Sequence, residues 1–100
     1  MLPLSLLSAE EIALAVAGRA RALRLARNLS QAGLAAAAGV SEGSLKRFEH
    51  TGQIAFVSLV RLAVALDATD LLETWFQPPP PRSIDQALAA RKTRQRGRRS

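Results

Sequence analysis

The stretch S-Q-A-G-L-A-A-A-A-G-V-S-E-G-S-L-K-R-F-E, residues 30–49, decides the fold. Its spacing predicts two short helices, residues 31–38 and residues 42–50, joined by a tight turn. Ala35 supplies the small side chain needed where two helices cross closely. Gly39, four residues later, supplies a residue that readily adopts the positive φ of such a turn.

Further positions of this stretch fit the same arrangement. Ser30 and Ser41 stand directly before the two helices, where a hydroxyl can accept a hydrogen bond from a free backbone N–H. Four apolar residues are placed to hold both helices against the preceding one: Leu34, Val40, Leu45 and Phe48. An ordinary helical hairpin also accepts Ala, Gly and Leu, but the shared register favours a helix-turn-helix.

The chain before this unit predicts a helix. Ser8, with Glu11 three residues later, is a capping-box pattern that marks a helix start. Apolar residues then recur at helical spacing, and Gly18 indicates a kink or a break. The apolar share is 48% and the aromatic share 4%, with Ala and Leu dominant, so the composition also favours helices over strands.

The chain after this unit predicts two more helices. One covers residues 56–66, and a last short helix through Phe76 is capped by Thr69 or Asp70. Five helices with brief connections predict a compact all-α bundle for residues 1–77.

With these residues in view, the sequence resembles the Cro/cI-repressor (Xre) family of helix-turn-helix proteins over residues 20–76. The resemblance rests on L-S-Q at residues 29–31, A-G-V-S at residues 38–41 and the L-x-x-L-x-x-A-L run at residues 59–66. It implies a lambda-repressor-like fold. The stretch S-L-K-R-F-E-x-T-G further resembles HipB-like antitoxins, which accompany HipA-type kinase toxins.

The resemblance also implies a DNA-binding surface, because in this family the second helix of the motif enters the major groove. Glu42, Gly43 and Arg47 fall on the base-facing positions, and Arg47 is suited to guanine. Gly43 departs from the family, which often has a polar residue at this position. Either sequence specificity is low at this position or the backbone approaches a base closely. Ser44 and Lys46 fall at the flank.

Phosphate contacts are implied for Gln31, Ser41 and Lys46. For Gln31, Ser41 and Ser44 the alternative is capping and surface solvation. Arg24 and Glu49 occupy the family positions of a partly buried ion pair that ties the first helix to the recognition helix. Trp75, near the end of the bundle, is either a core residue or a contact in a homodimer, and the homodimer contact is our hypothesis.

Composition excludes some functions. The chain has 100 residues and no cysteine, so disulfides, thiolate metal sites and cysteine nucleophiles are absent. No catalytic constellation, phosphate loop or metal-ligand set is recognisable, so we expect no enzyme, no cofactor and no metal. No apolar run approaches the about 18 residues of a membrane span, so we expect a soluble, cytoplasmic protein.

The C-terminal extension carries the net positive charge of the chain. Net charge is +6, and residues 1–90 hold 8 basic and 8 acidic residues, so the whole excess lies beyond residue 90. We expect a proline linker at residues 78–82, a short helix at residues 83–92 and a basic disordered tail at residues 93–100. The tail arginines that could contact DNA or a partner are Arg94, Arg96, Arg98 and Arg99. Its alternatives are a solubilising terminus, an arm in the DNA minor groove, and a segment that docks on an acidic protein.

These observations predict a sequence-specific repressor that binds a double-stranded DNA operator as a homodimer. The finer hypothesis is an antitoxin that represses its own operon and binds a HipA-like kinase toxin. The alternative is a protein-interaction module that has lost specific DNA binding. This alternative is supported by Gly43, which offers no side chain at a base-facing position.

Overall fold

A computed structural model describes residues 3–79, and every regular element in that range is helical. A 3-10 helix at Leu4–Leu6 precedes four α-helices, and a second 3-10 helix follows them at Thr69–Leu71. The α-helices are α1 Ala9–Ala26, α2 Gln31–Ala38, α3 Glu42–Thr51 and α4 Phe56–Ala65. The predicted all-α bundle is confirmed. Of the predicted extension, the helix at residues 83–92, the tail at residues 93–100 and linker residues 80–82 lie outside the described residues.

Helix α1 begins at the predicted capping box and runs without interruption. The Ser8 hydroxyl accepts from the Glu11 backbone N–H at 3.1 Å, and the Glu11 carboxylate accepts from the Ser8 N–H at 3.0 Å. Of the two alternatives expected at Gly18, the break is wrong, because α1 continues through this position to Ala26. Buried Ala17 and half-buried neighbours hold the middle of the helix against the core, which outweighs the weak helix propensity of one glycine.

The α2–turn–α3 unit forms as the sequence predicts. The Ser30 hydroxyl caps α2 by accepting from the Gly33 N–H at 2.9 Å, and the Ser41 hydroxyl caps α3 by accepting from the Ser44 N–H at 3.0 Å. Gly39 ends α2 with a φ of 71°. Both helices therefore begin on a side-chain acceptor, and the turn between them relies on the left-handed backbone that glycine adopts at little cost.

One core joins all four helices. Its fully buried large side chains are Leu34, Leu45, Phe48 and Leu62. Ala35 is buried where α2 crosses its neighbours, as predicted, and Val40 packs against the same cluster from the turn. Three of the four residues predicted to hold the motif in place are thus in the core, and the fourth lies against it.

The segment after α4 differs from the expected final helix. It contains the 3-10 helix Thr69–Leu71 and then turns as far as Phe76. Ala68 precedes the 3-10 helix, and neither Thr69 nor Asp70 provides a side-chain cap. The Thr74 hydroxyl donates to the Leu71 carbonyl at 3.2 Å, a local bond that competes with helical backbone bonds.

Within residues 3–79, no helix is long and apolar enough to span a lipid bilayer.

Candidate nucleic-acid interface

Helix α3 separates an apolar side from a polar one. Leu45 and Phe48 are buried, each 1% exposed, and fix the inner side of the helix. All five residues predicted to face bases or flank them are exposed on the remaining surface of this helix: Glu42, Gly43, Ser44, Lys46 and Arg47. The structure therefore brings the predicted DNA-binding residues of α3 together on one accessible surface.

The first turn of α3 carries short-range polar contacts. Lys46 Nζ lies 3.3 Å from Glu42 Oε1, an i,i+4 pair in which both side chains are about half exposed. Exposed pairs of this kind contribute little to stability, so either group can exchange its partner at low cost. The Ser41 hydroxyl donates to the Ser44 hydroxyl at 2.7 Å in addition to capping the helix.

Gly43 has no packing role in the described chain. A β-carbon built at this position would meet no atom within 4 Å beyond its own helix, and Gly43 is exposed. Glycine inside a helix lowers stability by roughly 0.5–1 kcal/mol relative to alanine. Neither sterics nor helix propensity therefore accounts for a glycine here.

Arg24 of α1 binds Glu49 of α3 through two hydrogen bonds. Arg24 Nε donates to Glu49 Oε2 at 2.8 Å, and Nη2 donates to Oε1 at 2.9 Å. Arg24 Nη1 donates to the Leu29 carbonyl at 2.8 Å, so one guanidinium joins α1, the segment before α2 and the end of α3. The two side chains are only 7% and 5% exposed, so the charged groups of both residues are buried.

Gln31 and Arg21 complete the surroundings of Glu49. Gln31 Nε2 donates to Glu49 Oε1 at 3.1 Å, so the side chain predicted to contact phosphate is bonded within the protein. The Arg21 guanidinium lies 3.9 Å from the same oxygen and is largely exposed. Burial raises the pKa of Glu49, but the hydrogen bonds from Arg24 and Gln31 and the two positive charges outweigh it, so the pKa lies below 4.5.

Arg47 belongs to a ring of hydrogen bonds at the end of α3. Its Nη2 donates to Gln53 Oε1. The Thr51 hydroxyl donates to the Arg47 carbonyl at 2.7 Å and accepts from the Gln53 N–H at 3.1 Å. Thr51 thereby holds the Gln53 backbone where the Gln53 side chain meets the Arg47 guanidinium. All three residues are exposed, and Arg47 and Gln53 line a shallow cleft of about 320 Å³ between α3 and the start of α4.

This geometry agrees with the comparison to known families. Residues 15–75, which include all of α2, α3 and α4, match the model of a family described as a helix-turn-helix domain. The chain belongs to this helix-turn-helix family. The domain identifies a DNA-binding regulator in general terms. No curated protein matches the chain.

Sequence reasoning missed one residue of the helix-turn-helix surface. Thr51-Gly52-Gln53 reads as a turn, and nothing in that pattern places Gln53 against Arg47 six positions earlier. The α3 helix ends one residue later than expected, at Thr51, and Gly52 with a φ of 82° turns the chain back toward the helix. The tail arginines Arg94, Arg96, Arg98 and Arg99 lie outside the described residues.

Proposed function

We propose that this protein is a sequence-specific transcriptional repressor that binds a double-stranded DNA operator as a homodimer, with α3 in the major groove. The observation that carries the proposal is the exposed polar surface of α3 within a helix-turn-helix match over residues 15–75. A helix held by a buried Arg24–Glu49 pair can present this surface in one orientation, which sequence-specific contacts require.

The residues of α3 have different roles in this proposal. Arg47 reads a guanine through its O6 and N7 atoms, a bidentate contact worth about 1–3 kcal/mol of discrimination. Glu42 accepts from a cytosine amino group, and Gly43 lets the backbone approach the groove. Lys46, Ser44 and Ser41 bind phosphates at the flank and set the register of the helix.

Gln31 adds a phosphate contact through the start of α2. Its side-chain amide already bonds Glu49, so the contact we propose uses the free backbone N–H groups of the first turn together with the remaining amide hydrogen. Binding at this point would act on Glu49 and hence on α3.

The test is a selection of DNA fragments bound by the wild-type chain at physiological salt, repeated with Arg47→Ala. We expect the wild type to enrich one operator motif and the variant to lose discrimination at one base pair by about 10-fold or more. Arg61→Ala removes the same charge from an exposed position on α4 and should leave the motif unchanged. A wild type without any sequence preference would support the alternative, a protein-interaction module.

We further propose that residues 91–100, which include the basic tail at residues 93–100, bind DNA phosphates. Deletion of these residues should flatten the dependence of log K on log salt by about 0.9 for each phosphate that the tail neutralises. If the tail docks on a protein instead, the salt slope of DNA binding will not change.

The resemblance of S-L-K-R-F-E-x-T-G to HipB-like antitoxins supports a finer proposal: the repressor is the antitoxin of a HipA-like kinase toxin, acts in the cytoplasm and represses its own operon. A neighbouring gene for such a kinase, and rescue of cells from that kinase by this chain, are the expected observations. Repression of a reporter without any such kinase beside the gene would indicate an autonomous repressor.

A further inference from the structure

An apolar groove lies between α1, α4 and the segment that follows α4. Its volume is about 310 Å³, and its walls include Leu23 of α1, Leu59 of α4 and Trp75 near the end of the described chain. Arg19, at the edge, is the one charged residue among the described residues that line it. We call this the C-terminal groove.

An exposed aromatic side chain stands next to this groove. Phe76 follows Trp75 directly and is 101% exposed. Its φ of 60° is in the left-handed region, where a bulky residue is strained. The chain therefore keeps a large apolar side chain in water, and does so with an unfavourable backbone, within one residue of a wall of the groove.

We propose that two copies of this chain associate by reciprocal insertion, with Phe76 of each copy filling the C-terminal groove of the other. The inference rests on the homodimer of the proposed function and names its interface. A two-fold symmetric interface uses the same patch on both copies, so the inserting residue and the receiving groove must be neighbours on one surface. Trp75 lines the groove and Phe76 is the next residue along the chain, which meets that condition.

The exposed apolar surface around the groove has the size of a small dimer interface. Phe56 and Trp75 lie with ring centroids 6.2 Å apart, so the apolar surface continues from the groove onto α4. Four side chains that are 44% exposed or more contribute to it: Phe56, Leu71, Trp75 and Phe76. Since a buried aromatic side chain covers about 150–250 Å², the four offer on the order of 500 Å² per copy, so two copies together reach roughly the 1,000 Å² of a small specific interface.

Charge is complementary in the same arrangement. Arg19 lies at the edge of the groove, and Glu73 stands three residues before Phe76. Within residues 3–79 neither makes an ion pair. When Phe76 of one copy enters the groove of the second, Glu73 approaches Arg19 of the second copy.

The first test measures the mass of the full chain without DNA by sedimentation equilibrium over a concentration series. We expect a dimer, and we expect Phe76→Ser to raise its Kd by about 10-fold or more, as for removal of a central aromatic residue. Leu6→Ser is the matched control: Leu6 is also well exposed, at 68%, but lies in the N-terminal 3-10 helix. It should not change the Kd.

A second test uses mixing. Ala63 lines the groove, so Ala63→Phe fills it with a ring from the same chain. This variant should abolish dimerisation although its own Phe76 is intact. An equimolar mixture of the Phe76→Ser and Ala63→Phe chains retains one complete insertion, so it should dimerise more tightly than either chain alone. If Ala63→Phe fails to fold by circular dichroism, the pair Arg19→Glu and Glu73→Arg replaces it: each should weaken the dimer alone, and the double variant should restore it.

Two outcomes would overturn the proposal. In the first, Phe76→Ser and Leu6→Ser have the same effect on the Kd. In the second, the full chain is a monomer at every concentration; if a chain ending at residue 79 then dimerises, the chain's own C-terminal segment fills the groove. Because mass is measured without DNA, either outcome is distinct from a failure of the wild type to bind an operator.

Discussion

Arg24 and Glu49, 25 residues apart in the sequence, meet through two hydrogen bonds of 2.8 and 2.9 Å with both side chains almost fully buried. Arg24→Met leaves the Glu49 carboxylate buried without its main partner, so we expect a loss of about 3–5 kcal/mol in the free energy of unfolding. The double variant Arg24→Met, Glu49→Leu removes both charges and should cost less than Arg24→Met alone. Urea titrations of the two variants measure this difference, and a double variant that is less stable than the single one would contradict it.

The same pair makes stability depend on pH. The pKa of Glu49 is lowered in the folded protein, so its contribution is fully present above the unfolded value of 4.5 and is lost as pH falls below 4.5 through the folded pKa. We expect Glu49→Gln to be less stable than the wild type at pH 7 and the difference to narrow as pH falls below 4.5. Val40→Ala trims a half-buried core contact without removing a carboxyl group, and its deficit relative to the wild type should stay constant with pH.

Gly43 and Gly18 form a matched pair for testing the backbone of α3. Both are exposed helical glycines where a β-carbon would meet no atom within 4 Å. We expect Gly43→Ala and Gly18→Ala each to raise the free energy of unfolding by about 0.5–1 kcal/mol. If the α3 backbone approaches a base closely, Gly43→Ala will also lower operator affinity and Gly18→Ala will not. Equal affinities of the two variants would show that Gly43 merely lacks a contact.

The α2–turn–α3 unit was predictable because its signals are local. Ser30, Gly39 and Ser41 act on backbone groups within a few residues of themselves. Their spacing in the sequence is therefore enough to predict the caps and the turn. The Arg24–Glu49 pair spans a longer distance, and its prediction depends on family resemblance. Residue spacing alone carries no signal that joins two positions on different helices.

The predictions that the structure does not bear out, and the contact of Gln53 that was not predicted, have physical causes as well. Gly18 weakens a helix in isolation, but packing of the helix against the core decides its continuity. The expected final helix was inferred from capping residues, whereas the chain uses Thr74 in a local bond and continues in turns. Gln53 was missed because its contact with Arg47 depends on the direction in which Gly52 sends the chain, which the sequence pattern does not specify.

Gly52 is held against α1 more tightly than any side chain would allow. A β-carbon at Gly52 would lie 2.7 Å from the Ala13 carbonyl carbon and 2.7 Å from the Leu14 nitrogen. Gly39 has a similar positive φ, but a β-carbon there meets nothing within 4 Å. We expect Gly39→Ala to cost about 1–2 kcal/mol for the left-handed backbone alone, and Gly52→Ala to cost clearly more because it adds a clash with backbone. Thermal unfolding of the two variants compares them directly, and equal costs would show that α1 yields at Ala13.

Gln53 restrains the Arg47 guanidinium before any DNA is bound, since the hydrogen bond between them closes a ring through Thr51. A restrained guanidinium loses less rotamer freedom on binding a base. We therefore expect Gln53→Ala to lower operator affinity several-fold and to reduce discrimination at the base pair that Arg47 reads.

The double variant Arg47→Ala, Gln53→Ala should bind as Arg47→Ala does, because Gln53 acts through Arg47. Stability should change little in all three chains, as both side chains are exposed. If Gln53→Ala weakens binding equally in the wild-type and Arg47→Ala backgrounds, Gln53 contacts the DNA itself and does not position Arg47.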